Sequence, residues 1–374
     1  MERRLRQNTG MSPLAGSFRV LVLYDICERI DLERLRGLIG ATQPGREPSF
    51  RHPVPEYVRF ERPPVVEYPD PVALAGGDRF QCRIRYFDYG VVSVELDLPF
   101  AADWPELVRL SSRWISAPEL EKATADLVRQ RQARLAPALV QPYPAWLSED
   151  YYVIHLRQAL SGEGGELDAA ALLADHGGEI AQIVRGESSP LAAAERSEAL
   201  EASMSYYPND LLVVGWVAAL VRDTPEGAAP AIQLLEYANT QLLEFRHYDD
   251  VLTRVLEKVY KMVEPRGWLR RRWTMAREAR QLNAMRLDVT ELTERMDNSI
   301  KFLSDMFYAR AYRMAADRVG VTDYRTLVER KLRTAGDLYR FMMDEFYQAR
   351  SFVLEAMVVA ILVIELIHLF RGGI

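Results

Sequence analysis

Apolar and polar positions follow two patterns: short apolar runs in the first half of the chain and long helical repeats in the second. Residues 18–24 form a β-branched apolar run that predicts a strand. Asp31 follows as a natural helix N-cap, and a helical repeat comes after it at Leu32, Leu35, Leu38 and Ile39. Residues 42–76 contain eight prolines and predict a loop with one short strand near 57–60.

The stretch "RFQCRIRYFDYGVVSVELDL" predicts two strands joined by a hairpin turn at 88–90, where glycine adopts a positive φ without strain. Helical patterns follow at 103–115 and 117–136. This order of elements predicts an α+β fold, in which an N-terminal α/β sandwich contains a partly antiparallel sheet.

The next part of the chain predicts a second set of α/β elements on the same sheet. A strand-like run covers 151–156, and a helix is expected near 167–174. The eleven residues 211–221 are too few to cross a bilayer, and we interpret them as one central strand buried on both faces.

From Pro230 onward the pattern is helical, with a first helix that ends at Pro265. Two later sets of apolar positions have coiled-coil spacing and flank a break at 320–324, which predicts a long antiparallel helical hairpin. The hairpin can close within one chain or between two, so a homo-oligomer is an open alternative. The first set is Leu282, Met285, Val289, Leu292, Met296, Leu303 and Met306, and the second is Val328, Leu332, Ala335, Leu338, Met342, Phe346 and Ala349.

The final stretch, "SFVLEAMVVAILVIELIHLFRGGI", contains nineteen residues, 352–370, of which thirteen are Leu, Ile, Val or Phe. This length predicts a C-terminal transmembrane helix, which Glu355 and Glu365 oppose. Arg350 and Arg371 bracket it as interfacial anchors. The alternative is a buried helix in the core of a soluble bundle.

The boundaries predicted from these patterns divide the chain into five parts. They are a flexible N-terminus at 1–17, the two halves of the α/β domain at 18–145 and 146–229, a helical region with the coiled-coil hairpin at 230–350, and a membrane anchor at 351–374.

Composition indicates which partners and which cellular compartment to expect. A formal net charge of −6 argues against a generally nucleic-acid-binding surface. The two cysteines, Cys27 and Cys82, exclude a disulfide framework and favour a reducing compartment. The preference for arginine over lysine is typical of a GC-rich bacterial genome. With the tail as an anchor, the expected location is the bacterial inner membrane, with the bulk of the chain on the cytoplasmic side.

Residues 261–286 hold eight basic and two acidic side chains, for which three interpretations compete. The segment is a solvated helix face, a contact with lipid headgroups, or an RNA surface whose tryptophans stack on bases. Membrane lipid is favoured over RNA, because the hairpin geometry brings the segment near the headgroups. The predicted membrane-contact residues are Trp268, Arg270, Arg271, Arg272, Trp273, Arg350 and Arg371.

Candidate chemistry is sparse. Glu244 and His247 share a helix face, as half of a di-iron carboxylate site requires, and Glu365 and His368 repeat the spacing inside the tail. The two further glutamates of such a site are not evident. We therefore expect no metal, no cofactor and no catalytic residues, and predict that the chain is not an enzyme, with a metal-dependent enzyme as the alternative.

Three stretches resemble the required-for-meiotic-nuclear-division family, a domain of unknown function shared by bacteria and mitochondria. They are "LLEFRHYDDVLTRVLEKVY" at 242–260, "LDVTELTERMDNSIKFL" at 287–303 and "FVLEAMVVAILVIELIHLF" at 352–370, with a looser match in "FDYGVVSVEL". The resemblance implies an N-terminal α/β domain, a helical hairpin and one C-terminal membrane helix. Its mitochondrial members support translation at the inner membrane, and no enzymatic activity is established for the family.

Together these observations predict a tail-anchored interaction or scaffold module without enzymatic activity, translation-linked by resemblance and binding an unidentified protein partner. The alternative is a soluble enzyme or metal-binding helical bundle whose apolar C-terminal helix belongs to the core.

Overall fold

A computed structural model describes residues 14–40, 63–74, 77–157, 168–263 and 306–371, with a few single positions between 284 and 294. The chain divides into two compact units. The first comprises Met1–His247 and Glu294–Tyr324, and the second comprises Tyr248–Thr293 and Arg325–Ile374.

The described strands and helices form an α+β fold. The strands are β1 (Leu14–Ile30), β2 (Val65–Glu67), β3 (Val72–Ala73), β4 (Arg79–Tyr86), β5 (Val91–Ala102), β6 (Leu139–Arg157), β7 (Ser203–Met204), β8 (Leu211–Val214) and β9 (Ala218–Asp223). The helices are α1 (Leu32–Ile39), α2 (Trp104–Trp114), α3 (Pro118–Leu135), α4 (Ala169–Arg185), α5 (Ala193–Glu201), α6 (Pro225–Val263), α7 (Met306–Arg318) and α8 (Val321–Arg371).

The described strands form a mixed nine-stranded sheet in the order β2-β4-β5-β1-β6-β9-β8-β7, with β3 paired to β4 outside this path. The long strand β1 pairs antiparallel with both β5 and β6, so it lies at the centre of the sheet. Strands β6 and β9 pair in parallel. The other pairs are antiparallel.

Alternation along β1 gives the sheet two different faces, because successive side chains of a strand point to opposite sides. Phe18, Val20 and Val22 belong to one large apolar core. Helices α1 to α5 supply the other layer of that core, through residues such as Leu107 and Ile180. The opposite face carries buried charges and is described with the functional site.

Several helices begin and end where their sequence signals lie. Asp31 caps α1 by accepting a hydrogen bond from the Arg34 backbone N–H, and Gly40 ends that helix in the left-handed region. Asp103 and Glu106 form a capping box at the start of α2. Local polar residues therefore set these boundaries.

The apolar run at 211–221 is not the single central strand that its composition predicts. It forms the hairpin of β8 and β9, which pair antiparallel across a turn that contains Gly215. The Gly215 backbone N–H donates to the Ala218 carbonyl oxygen and closes the turn. The turn was missed because Gly215 and Trp216, which form part of it, were counted as apolar residues of a continuous strand.

The second unit contains the end of α6 and most of α8. Lys331 on α8 forms an ion pair with Asp249 at 2.5 Å and donates a hydrogen bond to Thr253 at 2.7 Å, both on α6. Leu252 and Val328 are fully buried there. Thus the described part of α8 before residue 339 has a packed side.

The predicted helical hairpin is only partly within the described residues. Gly320, with φ 89°, separates α7 from α8 inside the expected break. Of the first apolar set, Val289 is buried. Met306 is 70% exposed, so it is not packed in a helix–helix contact. The strand expected at 57–60 lies outside the described residues.

Within the described residues, no helix is both long enough and apolar enough to cross a membrane. The prediction of a C-terminal transmembrane helix is therefore wrong. So are the tail-anchored architecture and the inner-membrane location that depended on it. The described side chains of the tail cover the sixteen residues 354–369, including Glu355 and Glu365. Glu355 and Glu365 interrupt its apolar side chains, and each carboxylate opposes transfer of the helix into a bilayer.

We expect Gly90→Ala to destabilise the first unit by about 3 kcal/mol, because a φ of 96° is strained for alanine and its Cβ would overlap the Cys27 carbonyl oxygen. Urea unfolding measures this change. Gly37→Ala is the control: Gly37 lies inside α1, and apart from the helix's own backbone no described atom comes within 4 Å of the added Cβ. There alanine should stabilise the protein by up to about 1 kcal/mol. Equal effects of the two changes would contradict the assigned turn.

Candidate functional site

The second face of the sheet carries a row of charged and polar side chains across three neighbouring strands. Arg19 on β1, Glu95 on β5 and Arg83 on β4 lie on this face, since Leu21 and Arg83 both pair with Glu95 in the register of the sheet. Glu95 is only 4% exposed. A carboxylate buried to this extent needs compensating partners.

Three arginines supply that compensation. Glu95 pairs with Arg19 at 3.1 Å, with Arg85 at 3.2 Å, and with Arg83. Burial alone would raise the pKa of Glu95, but Arg85, Arg83 and Arg19 outweigh it and lower the pKa to about 2. Glu95 is therefore charged throughout the neutral pH range.

Helix α6 covers this face with a polar side of its own. Glu236 forms an ion pair with Arg85 and accepts a hydrogen bond from Ser93 at 2.6 Å. One turn later, Thr240 accepts from Tyr89 at 2.9 Å. Burial would lower the pKa of Arg85, but Glu236 and Glu95 raise it. These contacts fix the position of α6 along the strands, because a shift of the helix would separate Glu236 from Arg85 and Ser93 and would separate Thr240 from Tyr89.

Near the end of this face, β1 and β6 lose their regular pairing. Asp25 pairs with Leu147 and Cys27 pairs with Pro142, so the single residue Ile26 faces the four residues 143–146. Gln141 next to this bulge has a φ of 50°, in a region that non-glycine residues rarely adopt. Bulges of this kind redirect side chains and are common next to functional sites.

The bulge brings together a carboxylate, an imidazole and a phenol. His247 on α6 lies with Nδ1 2.6 Å from Asp25 Oδ2, and its ring stacks on Tyr143 with the ring centroids 4.7 Å apart. Burial raises the pKa of Asp25, although the hydrogen bond and charge of His247 oppose that change. The pair can hold or exchange a proton in a largely buried setting.

The surrounding groups limit the chemistry of this cluster. Burial raises the pKa of the Cys27 thiol to about 12, so this sulfur is protonated and a poor nucleophile at neutral pH. Glu244, the other member of the predicted half-site for iron, is buried one turn before His247. Within the described residues, no group of three or more His, Cys, Asp or Glu side chains is arranged to hold a metal ion.

Most of the predicted membrane-contact residues lie outside the described residues. These are Trp268, Arg270, Arg271, Arg272 and Trp273. Arg350 falls in α8, but its side chain is not among those described, and Arg371 is exposed as the last residue of α8. The structure therefore leaves their contact with lipid as a prediction.

The sequence patterns missed Asp25 and Tyr143. A signal for Asp25 was present, because a carboxylate within the apolar run of β1 is costly unless it is paired. The prolines on either side of Tyr143 indicated irregular strand pairing, since proline has no N–H to donate to a neighbouring strand. Neither signal identifies His247 as the partner, which is more than 200 residues away from Asp25.

The family model described as "Uncharacterized protein MJ0711, N-terminal domain" matches residues 15–229, more than half of the chain. The chain belongs to this family. The matched region runs from β1 to the start of α6, so it contains Asp25, Glu95 and Tyr143. Glu236, which pairs with Arg85, and His247, which pairs with Asp25, lie on α6 beyond the matched region.

A relative from Methanocaldococcus jannaschii, described as "Uncharacterized protein MJ0711", is 19% identical over 189 residues. The match covers 50% of this chain and 58% of the relative, so the chain spans less than two thirds of that protein's length. No solved structure matches the chain.

We predict that Glu95→Gln removes roughly 3 kcal/mol of stability at pH 7, because a lowering of the pKa from 4.5 to about 2 corresponds to that free energy. A lowered carboxyl pKa stabilises the fold fully above pH 4.5, and the stabilisation is lost as the pH falls toward 2. Urea unfolding at several pH values should therefore show a shallower acid dependence in the variant.

Glu33→Gln is the control for that experiment. Glu33 pairs with Arg36 but its side chain is 86% exposed. The change should alter stability by less than about 0.5 kcal/mol. An acid dependence in Glu95→Gln as steep as in the parent protein would show that Glu95 does not carry this stabilisation.

A double-mutant cycle tests the buried pair at the bulge. Asp25→Asn and His247→Gln should each destabilise the protein, and the double variant should lose less than the sum, with a coupling of roughly 1–3 kcal/mol. The reason is that each single change leaves the other group buried without its charged partner. Strictly additive effects in urea unfolding would contradict the pairing.

Proposed function

We propose that this protein is a non-enzymatic interaction module that binds further copies of itself through residues 354–369 of α8. The observation that carries the proposal is the exposure of this helix. Its eleven large apolar side chains, from Leu354 to Leu369, are 49–74% exposed. Val328 and Ala335, earlier in the same helix, are fully buried.

The exposed surface surrounds the helix rather than forming one stripe. All positions from 354 to 369 are exposed, and successive residues point about 100° apart around a helix axis. A contiguous apolar surface of this kind marks an interaction site. A helix that is apolar on all sides is normally buried.

The exposed apolar area of the tail favours packing against several identical helices rather than against a single partner helix. Full burial of a Leu, Ile or Val side chain contributes about 1.5–3 kcal/mol, and each buried Å² contributes about 25 cal/mol. Each such side chain therefore has about 60–120 Å² of apolar surface to bury. With about half of each side chain exposed, the segment offers on the order of 500 Å² per copy. Two copies then reach about 1,000 Å², the lower limit of a specific interface, only if nearly every side is covered.

A bundle of such helices meets that requirement. Identical helices present the same apolar surface to one another, and closed symmetric assembly is the usual form of homo-oligomers. Glu355, Glu365 and His368 interrupt the apolar surface. Polar groups at such positions select one register of packing over others. The sequence left a homo-oligomer through the coiled-coil hairpin as an open alternative, and the contact that we propose lies in the tail instead.

The translation-linked role stays a prediction that rests on the resemblance of residues 242–260, 287–303 and 352–370 to the required-for-meiotic-nuclear-division family. The matching family description names no partner or process. Contact of residues 268–273 with lipid or RNA likewise stays a prediction.

The test is the molar mass of the full chain in solution, measured by light scattering after size-exclusion chromatography. We expect an oligomer that dissociates when Val358 and Leu362, both more than half exposed, are changed to Glu. Buried carboxylates at these positions would oppose packing of the helices.

Arg340→Glu is the matched control, because Arg340 lies on α8 before the apolar segment with its side chain 75% exposed. This variant should keep the parent mass. The proposal would be overturned if the full chain were monomeric, whether in plain buffer or in detergent micelles. An oligomer that survives the two tail substitutions would overturn it as well.

A further inference from the structure

The bulge between β1 and β6 forms one wall of a small cavity on the α3 side of the first unit. Tyr143, Pro144, Ala145 and Trp146, the four residues that face Ile26, all line it. The cavity has a volume of about 260 Å³. The irregular pairing that brings Tyr143 to His247 therefore also creates this space.

The aromatic walls are held in place before any ligand binds. The Tyr24 hydroxyl lies 2.8 Å from Thr124 Oγ1 and donates to the Glu121 carbonyl oxygen at 3.1 Å. Trp146 meets the Tyr24 ring edge-on, with ring centroids 6.0 Å apart. Tyr143 is fixed by its stack on His247. Walls ordered in advance reduce the entropy lost on binding.

One stripe of α3 forms the opposite wall. Glu121, Ala125 and Arg129 line the cavity at successive spacings of four residues, so they lie on the same side of the helix. Ala125 is buried, and its small side chain leaves the space open between two charged residues. Arg129 is 64% exposed, with one hydrogen bond of 3.3 Å to Asp126. Its guanidinium can reorient toward a ligand.

We propose that this cavity binds a small aromatic carboxylate and that an aromatic α-amino acid fits it best. The aromatic ring packs between Tyr24, Tyr143 and Trp146. Arg129 binds the carboxylate, and Glu121, whose Oε1 accepts a hydrogen bond from Ser148 at 3.2 Å, binds the ammonium group. The site lies in the first unit and does not depend on self-association of the tail.

Calorimetric titration of the full chain with three probes tests the proposal. L-phenylalanine carries both charges, 3-phenylpropionate only the carboxylate, and phenethylamine only the ammonium. We expect phenylalanine to bind tightest and phenethylamine weakest. Arg129→Gln should weaken the two carboxylates about fivefold or more, since a charge-assisted hydrogen bond contributes over 1 kcal/mol. It should leave phenethylamine unchanged.

Ala125→Leu should abolish binding of all three probes, because the larger side chain fills the cavity. Ala133→Leu is its matched control, the same change on the exposed part of α3 outside the cavity. Arg109→Gln on α2 is the control for Arg129→Gln. Circular dichroism confirms that each variant folds, and the exposed Arg129 variant decides the question if Ala125→Leu does not.

Three results would overturn the proposal. They are no binding of phenylalanine at millimolar concentration, unchanged binding by a folded Ala125→Leu variant, and equal affinity of Arg129→Gln and the parent chain for 3-phenylpropionate.

Discussion

The position of α6 depends on Glu95, a carboxylate buried in the middle of a sheet face. Three arginines on β1 and β4 neutralise it, and their excess charge needs a further acid. Glu236 on α6 supplies that acid. Buried ion pairs add little net stability over an apolar contact, but breaking one leaves an uncompensated charge and is strongly destabilising. The network therefore works mainly by excluding other placements of α6.

This constraint extends along the helix. Arg246 pairs with Glu149 on β6, and His247 pairs with Asp25 on β1, so three polar matches fix one register. An apolar helix face could shift by one turn on a sheet with modest loss, because apolar contacts have no direction. A shift here would separate every one of these pairs. The polar face thus determines geometry at the bulge, far from Glu95 in sequence.

The extent of the family match gives the same network another meaning. The matched region, 15–229, contains the sheet and the arginines that surround Glu95, but it ends before Glu236. A piece of this chain cut at 229 would keep Arg85 and lose one of its two acids. The matched domain is therefore not electrostatically complete in this protein until α6 covers it.

Local signals predicted much of the fold, while contacts distant in sequence were out of reach. The Asp31 cap, the hairpin turn at 88–90 and helices α2 and α3 follow from short-range rules and agree with the structure. The run at 211–221 failed because apolar content does not show where a chain turns.

The tail was misjudged for a related reason. A count of apolar residues at 352–370 cannot tell what covers a helix. The Asp25–His247 pair could not be found either, because nothing near Asp25 in sequence specifies a partner on α6. Spacing had identified His247 and Glu244 as a pair on one helix, but the structure shows that His247 contacts the sheet.

At the bulge, one residue contacts the elements on both faces of the sheet. Tyr143 stacks on His247 on the α6 side and lines the cavity on the α3 side. Burial opposes ionisation of Asp25, while the hydrogen bond and charge of His247 favour it. A molecule bound in the cavity would contact the residue whose ring stacks on His247. The four-residue bulge thereby places a buried carboxylate–imidazole pair next to a cavity, because a regular β1–β6 ladder would leave no extra residues to reach both.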